Sequence, residues 1–200
     1  LAQFSTDGDT NFALIDWKRL SQMTAINSPI FTTNQGFKTN GTSSYINTNF
    51  NPSLNGVNYT QNSAGISANT FSLSSSNRYV VGTLSTADGA ARIRATTSNA
   101  EYQMNGSIVS NASGINSNII GNVHMDRLSS NQIVLQAENI LGNLATNTST
   151  GVPINDLWIN RIVNVYNDSG VRYFIARNAF TESEKNNLNT IFNNYFNSLW

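Results

Sequence analysis

The chain has 200 residues, a formal net charge of zero, only 11% charged residues and no cysteine. Without net charge there is no long-range field to gather phosphates, which argues against nucleic-acid binding. The absence of cysteine excludes disulfides and leaves the redox compartment undetermined.

Asparagine, serine and threonine make up more than a third of the residues. The surface is therefore expected to consist of neutral hydrogen-bonding groups, suited to neighbouring proteins or to sugar hydroxyls. No apolar run approaches the ~18 residues of a membrane span. Leu1 in place of Met is expected of a processed product or a fragment. Aromatic residues at 10%, only three prolines and periodic apolar positions argue against disorder.

Residues 1–11 read as a leader or as the end of a preceding module. Within them Asp7-Gly8-Asp9 begins like a calcium loop but lacks the later ligands and the closing Glu. Calcium is the one metal kept in view; otherwise no cofactor is expected. Residues 12–180 carry a period of two. Ile46, Thr48 and Phe50 alternate with Tyr45, Asn47 and Asn49; Ala91, Ile93 and Ala95 alternate with Arg92 and Arg94. Val123 and Met125 alternate with His124 and Asp126, and Ile133, Leu135 and Ala137 with Gln132, Gln136 and Glu138. Such alternation means strands with one buried face. Turns are expected at Thr39-Asn40-Gly41-Thr42, Asp88-Gly89, Asn105-Gly106 and Asn167-Asp168-Ser169-Gly170, with Asn105-Gly106 the clearest hairpin. Many short antiparallel strands at this spacing indicate an all-β sandwich or jelly roll.

Residues 181–199 break the pattern. Thr181-Glu182-Ser183-Glu184 is a capping box. Leu188, Ile191, Phe192, Tyr195, Phe196 and Leu199 then form one apolar stripe of an amphipathic α-helix, expected to dock on the sandwich. Asn186, Asn187, Asn189, Asn193, Asn194 and Asn197 are placed on its solvent side.

Catalysis is tested by elimination. His124 is the only histidine, so any Ser/His mechanism must use it, and it reads as a surface residue of a strand. The G-x-S-x-G motif and the E-x-D-x-x-E arrangement of jelly-roll glucanases are both missing. The close acidic pairs, Asp7/Asp9 and Glu182/Glu184, have turn and cap roles to fill. Glycan binding remains. It calls for hydrogen-bonding side chains beside an aromatic face, and Arg78, Tyr79, Arg92, Arg94, Asn99 and Tyr102 supply these on consecutive strands of a meander. Arg92 and Arg94 share a strand face and could grip an acidic sugar bidentately. Tyr45, Tyr59, Trp158 and Tyr166 are further exposed candidates.

Two stretches together carry a resemblance. One is ALIDWKRLSQMTAINSPIFTTNQGFKTNGTSSYINTNFNPSLNGVNYT, from Ala13 to Thr60; the other is LWINRIVN…RYFIARNAFTESEKNNLNTIFNNYFNSL, from Leu157 to Leu199. They resemble the concanavalin A-like (laminin-G-like) jelly-roll domains of bacteriophage virion proteins. The resemblance implies a concanavalin A-like β-sandwich ending in a helix. It also implies a place on the virion surface, as a tail-fibre, head-fibre or receptor-binding module, trimeric or attached to other virion proteins. No site residue of that family maps onto these positions. The expectation is a non-enzymatic module recognising host-surface glycan. The alternatives are an architectural capsid or neck domain without a ligand, and a carbohydrate-binding or depolymerase module.

Overall fold

The computed structural model describes residues 1–72, 78–83, 90–95, 100–109, 115 and 120–199. Two antiparallel sheets face each other. The larger, nine-stranded sheet runs Ile140–Leu141, Gln132–Ala137, Gly121–Ser129, Ala64–Ser72, Gly170–Arg177, Gly36–Lys38, Ile30–Thr32. Ala2–Gln3 and Ala145–Thr146 join it off that path. The six-stranded sheet runs Ala100–Gly106, Ala90–Ala95, Arg78–Thr83, Trp158–Ile159, Tyr45–Asn47, Thr24–Ile26. Strands adjacent in space are often distant in sequence, as in a jelly roll.

The period of two decides what lies between the sheets. Ala64, Ile66 and Ala68 turn inward beside Val123 and Met125 and beside Ile133 and Leu135. Facing them are Val81, Ala91, Ile93, Ile46 and Ile159 of the smaller sheet, all essentially inaccessible. Each fully buried Ile or Met of this set contributes roughly 1.5–3 kcal/mol. Alternation also drives one cation inward. Arg127 is two residues beyond Met125, and its guanidinium is satisfied by the Met104 carbonyl at 2.7 Å and by Asn147.

Residues 2–5 are built into the sandwich. Ala2 and Gln3 pair with Phe174 and Tyr173, and Ala2 and Phe4 are fully buried in the core. The turn residues act locally. Asn40 Oδ1 accepts from the backbone N–H groups of Thr42, Ser43 and Ser44, and Gly41 sits at φ +74°. Asn105 adopts φ +56°, and Tyr102 bridges to Val109 as a turn at 105–106 requires. Asp88-Gly89 lies outside the described residues.

The C-terminal helix, Glu182–Ser198, starts at the expected capping box: Thr181 Oγ1 accepts from Glu184 N–H, and the Glu184 carboxylate accepts from Thr181 N–H. It lies on the outer face of the large sheet, where Phe192 and Phe196 stack on Tyr173 with centroids 4.0 and 6.3 Å away. The helix is rotated from the expected docking face. Ile191 is 62% exposed and Tyr195 lies at the surface, whereas Lys185 and Asn189 are buried. The reason is the floor beneath it, which is apolar at Tyr173 and Ile175 and polar at Asn122, His124, Asp126 and Gln136. Asn186 accepts from Gln136, Asn193 from Asn122, and Asn189 meets His124. Three asparagines assigned to solvent are thus contact residues.

Candidate functional site

The outer face of the six-stranded sheet carries two groupings of aromatic and guanidinium groups. Successive antiparallel pairing of Arg78–Thr83, Ala90–Ala95 and Ala100–Gly106 forms the meander. Arg92 and Arg94 both lie over the Tyr79 ring, at 5.8 and 5.3 Å from its centroid. Arg94 also donates to Glu101 at 2.9 Å. The strand alternation therefore brings Tyr79, Arg92 and Arg94 together, but Tyr79 is largely covered.

The other expected members fall elsewhere. Tyr102 turns inward as a core residue, 1% exposed, because it is in phase with Ala100 and Met104; burial pushes its hydroxyl up to about 12. Arg78 is placed by its backbone at the start of its strand, and Asn99 lies outside the described residues. Tyr59 is also interior, stacked edge-on against Phe50.

Tyr45, Trp158 and Tyr166 converge instead, around a residue the sequence reading passed over. The Arg161 guanidinium carbon lies 4.3 Å from the Tyr45 ring centroid, 4.5 Å from Trp158 and 5.3 Å from Tyr166. The positioning is local and specific. Asn160 takes φ +61° and turns the chain out of the Trp158–Ile159 strand into a small hairpin, Arg161–Ile162 with Val165–Tyr166. Two buried amides clamp its feet. Asn160 Nδ2 donates to Thr39 Oγ1 and the Ser169 carbonyl, and Asn167 Nδ2 to the Tyr79 carbonyl. At its tip Val163 sits at φ +49°, a strained conformation for a β-branched residue, and its carbonyl accepts from Arg161 Nε at 2.7 Å. The hairpin rests where Gly82 leaves room: a Cβ there would come within 2.9 Å of the Arg161 carbonyl and of Ile162 Cβ.

Trp158 pairs across the strands with Asn47, so both project from the same face, as does Tyr45 two residues away. Asn47 Nδ2 donates to Asp156 Oδ2 at 3.1 Å. A half-buried indole, a carboxamide and a carboxylate thus lie side by side. On the other flank Trp158 pairs with Gly82 and Gly82 with Arg92, which puts the arginine pair two strands, roughly 10 Å, from the indole.

The catalytic candidates are used structurally. Ser67 Oγ lies 2.7 Å from His124 Nδ1, but both residues are fully buried beneath the helix; the expected surface histidine is interior. Asp9 caps the short helix Thr10–Ala13 by accepting from Phe12 N–H. Among the described residues, no group of three or more His, Cys, Asp or Glu could hold a metal ion.

No protein-family model matches the sequence, and no curated protein is significantly similar to it. Solved structures do share the fold. The receptor-binding domain of a botulinum neurotoxin C/D mosaic superposes with a TM-score of 0.62 at 12% identity, covering 94% of this chain and 50% of that one. The binding domain of Paraclostridial Mosquitocidal Protein 1 gives 0.57 at 12%, covering 94% and 52%. A third structure gives 0.63 at 13%, covering 99% and 51%; it concerns botulinum neurotoxin type C, whose passage into cells depends on interaction with two ganglioside molecules. The chain spans about half the length of the structures it matches. Fold and site together define a mostly β, antiparallel sandwich with one C-terminal helix and an aromatic, hydrogen-bonding outer face.

Proposed function

We propose that the protein is a non-enzymatic carbohydrate-recognition module that uses the outer face of the six-stranded sheet. The observation that carries this reading is the Trp158 ring beside the Asn47–Asp156 pair. An indole offers an apolar surface to the C–H side of a sugar, and the adjacent amide and carboxylate hydrogen-bond its hydroxyls. Arg92, Arg94 and Tyr79 extend the face. The fold shared with receptor-binding domains supports the reading at the level of architecture.

The likeness of residues 13–60 and 157–199 to phage jelly rolls suggests the setting: a virion-surface module that meets host glycan and sits among other virion proteins as a trimer. The architectural alternative has one observation in its favour. Leu128, Val134, Leu141, Leu144 and Phe180 line an apolar hollow beside the start of the helix, a surface suited to a neighbouring protein.

Purified protein on an array of bacterial and host-surface glycans tests the proposal. Specific binding that is lost in Trp158→Ala is expected; an array without signal would overturn it.

A further inference from the structure

We infer that Arg161, held in the Tyr45–Trp158–Tyr166 ring cluster, is the specificity element of this face and selects saccharides that carry a carboxylate. The inference rests on the carbohydrate-recognition reading and adds the ligand's charge.

Arg19 is paired with Asp16, Arg94 with Glu101 and Arg177 with Asp126. Arg127 is buried and saturated by carbonyl and amide oxygens. Arg161 makes a single hydrogen bond, from Nε to the Val163 carbonyl, and no ion pair among the described residues. The nearby acid, Asp156, is engaged by the Asn47 amide instead. The terminal nitrogens Nη1 and Nη2, the two that match a carboxylate bidentately, are left without a partner among those residues.

The cation is also held in place. The Val163 carbonyl fixes Nε, and three rings within 5.3 Å confine the guanidinium plane. A guanidinium held this way loses little freedom on binding, so a ligand carboxylate gains the full contact. The three ring faces add cation–π attraction that keeps the charge at this spot. Arg92 also lacks an acidic partner among the described residues, but it leans on the largely covered Tyr79. Arg172 likewise lacks an acid among the described residues, but it lies on the other sheet, where it donates to Asn69 and sits over Phe71 and Phe196. The Arg161 nest adjoins the indole and the Asn47–Asp156 pair. A sugar set against the surface formed by Trp158, Asn47 and Asp156 would meet hydrogen-bonding groups there and the Arg161 guanidinium beside them.

The test begins with a glycan array that holds uronic- and nonulosonic-acid glycans beside neutral ones. Carboxylated glycans are expected to dominate. Titration with tetragalacturonate and with its methyl ester then isolates the charge. The free acid should bind about tenfold or more tightly than the ester, with an affinity that falls as salt rises. Arg161→Gln should abolish that preference while keeping the wild-type melting temperature. Arg161→Lys should restore only part of it, because the ammonium lacks the planar fork.

Binding confined to neutral glycans would overturn the inference and leave carbohydrate recognition standing. So would equal affinity for acid and ester, or acid binding undiminished in Arg161→Gln. An array without any signal would remove both. The acid-to-ester ratio is read on the wild-type protein, so it decides the matter even if a variant folds poorly.

Discussion

His124 Nε2 and Asn189 Oδ1 lie 2.6 Å apart, and this contact fixes the protonation of the buried ring. Asn189 Nδ2 donates to the Glu138 carbonyl, so its amide oxygen faces the imidazole and Nε2 carries the hydrogen. Nδ1 then accepts from the Ser67 hydroxyl, whose oxygen in turn accepts from Arg177 Nη2. A second proton would set an Nδ1–H against a hydroxyl already engaged by a cation. Burial is the main reason the ring is held down to about 4 from 6.5; the Asn189 bond opposes the shift, and the charges of Arg177 and Lys185 add to it.

Stability should therefore fall in mild acid. Unfolded chains take up the histidine proton below about pH 6.5, whereas the folded state refuses it down to about pH 4. The contribution is fully present above this window and is lost as pH drops through it, amounting to about 3 kcal/mol at 1.36 kcal/mol per unit. Urea unfolding between pH 7 and pH 4 should show the slope, and His124→Gln should flatten it. Asp16, lowered from 3.8 despite its burial by Arg19 and the N-terminal amine, adds its own loss only below that range. Identical slopes in both proteins would place the linkage elsewhere.

Asp126 carries two cations. It pairs with Arg177 and lies 3.6 Å from Lys185 Nζ, and it accepts from Phe180 N–H; all three charged side chains are nearly inaccessible. Asp126→Asn keeps the shape but leaves the two positive groups without their counter-charge. A loss of about 3–5 kcal/mol is expected in urea unfolding.

The orientation of the helix can be read from two neighbouring positions. Phe192 is stacked on Tyr173, so Phe192→Asp should cost several kcal/mol, about 3–5. Ile191 is 62% exposed, and Ile191→Asp should stay within about 0.5 kcal/mol. Equal melting temperatures for the two variants would refute the docking.

Gly82→Val should lift the hairpin that carries Arg161. The new side chain would meet the Arg161 carbonyl and Ile162 in the space they occupy, at a cost of roughly 1–3 kcal/mol. The near-ultraviolet circular dichroism of Trp158 should change, and any glycan binding should weaken with it.

Arg94→Ala removes the partly exposed pair with Glu101 together with the contact over the Tyr79 ring and should cost about 1 kcal/mol in melting experiments. A larger loss would mean that the arginine holds the meander together.

Local signals carried the architecture. Alternation at Ile46, Ile93, Met125 and Leu135 marks the buried faces, and Thr181 with Glu184 marks where the helix begins. Both depend on neighbours a few residues apart, and such short-range chemistry is legible along a chain. The phase of Tyr102 was legible as well, since its neighbours Ala100 and Met104 make it inward-facing; its aromatic, hydroxylated character concealed that.

Which polar groups meet depends on how the sheets and the helix close over one another. Asn189 and Lys185 look like the wet side of a helix until His124 and Asp126, some sixty residues earlier, rise beneath them. Arg161 looks like an ordinary strand cation until the Asn160 turn folds it onto Tyr45, more than a hundred residues away. The alternation, the caps and the neutral surface follow from the residues in order along the chain, because burial and backbone hydrogen bonding act through fixed periods. Hydrogen bonds and ring contacts between distant strands have no period, so the pairing of those groups appears only once the sheets are closed.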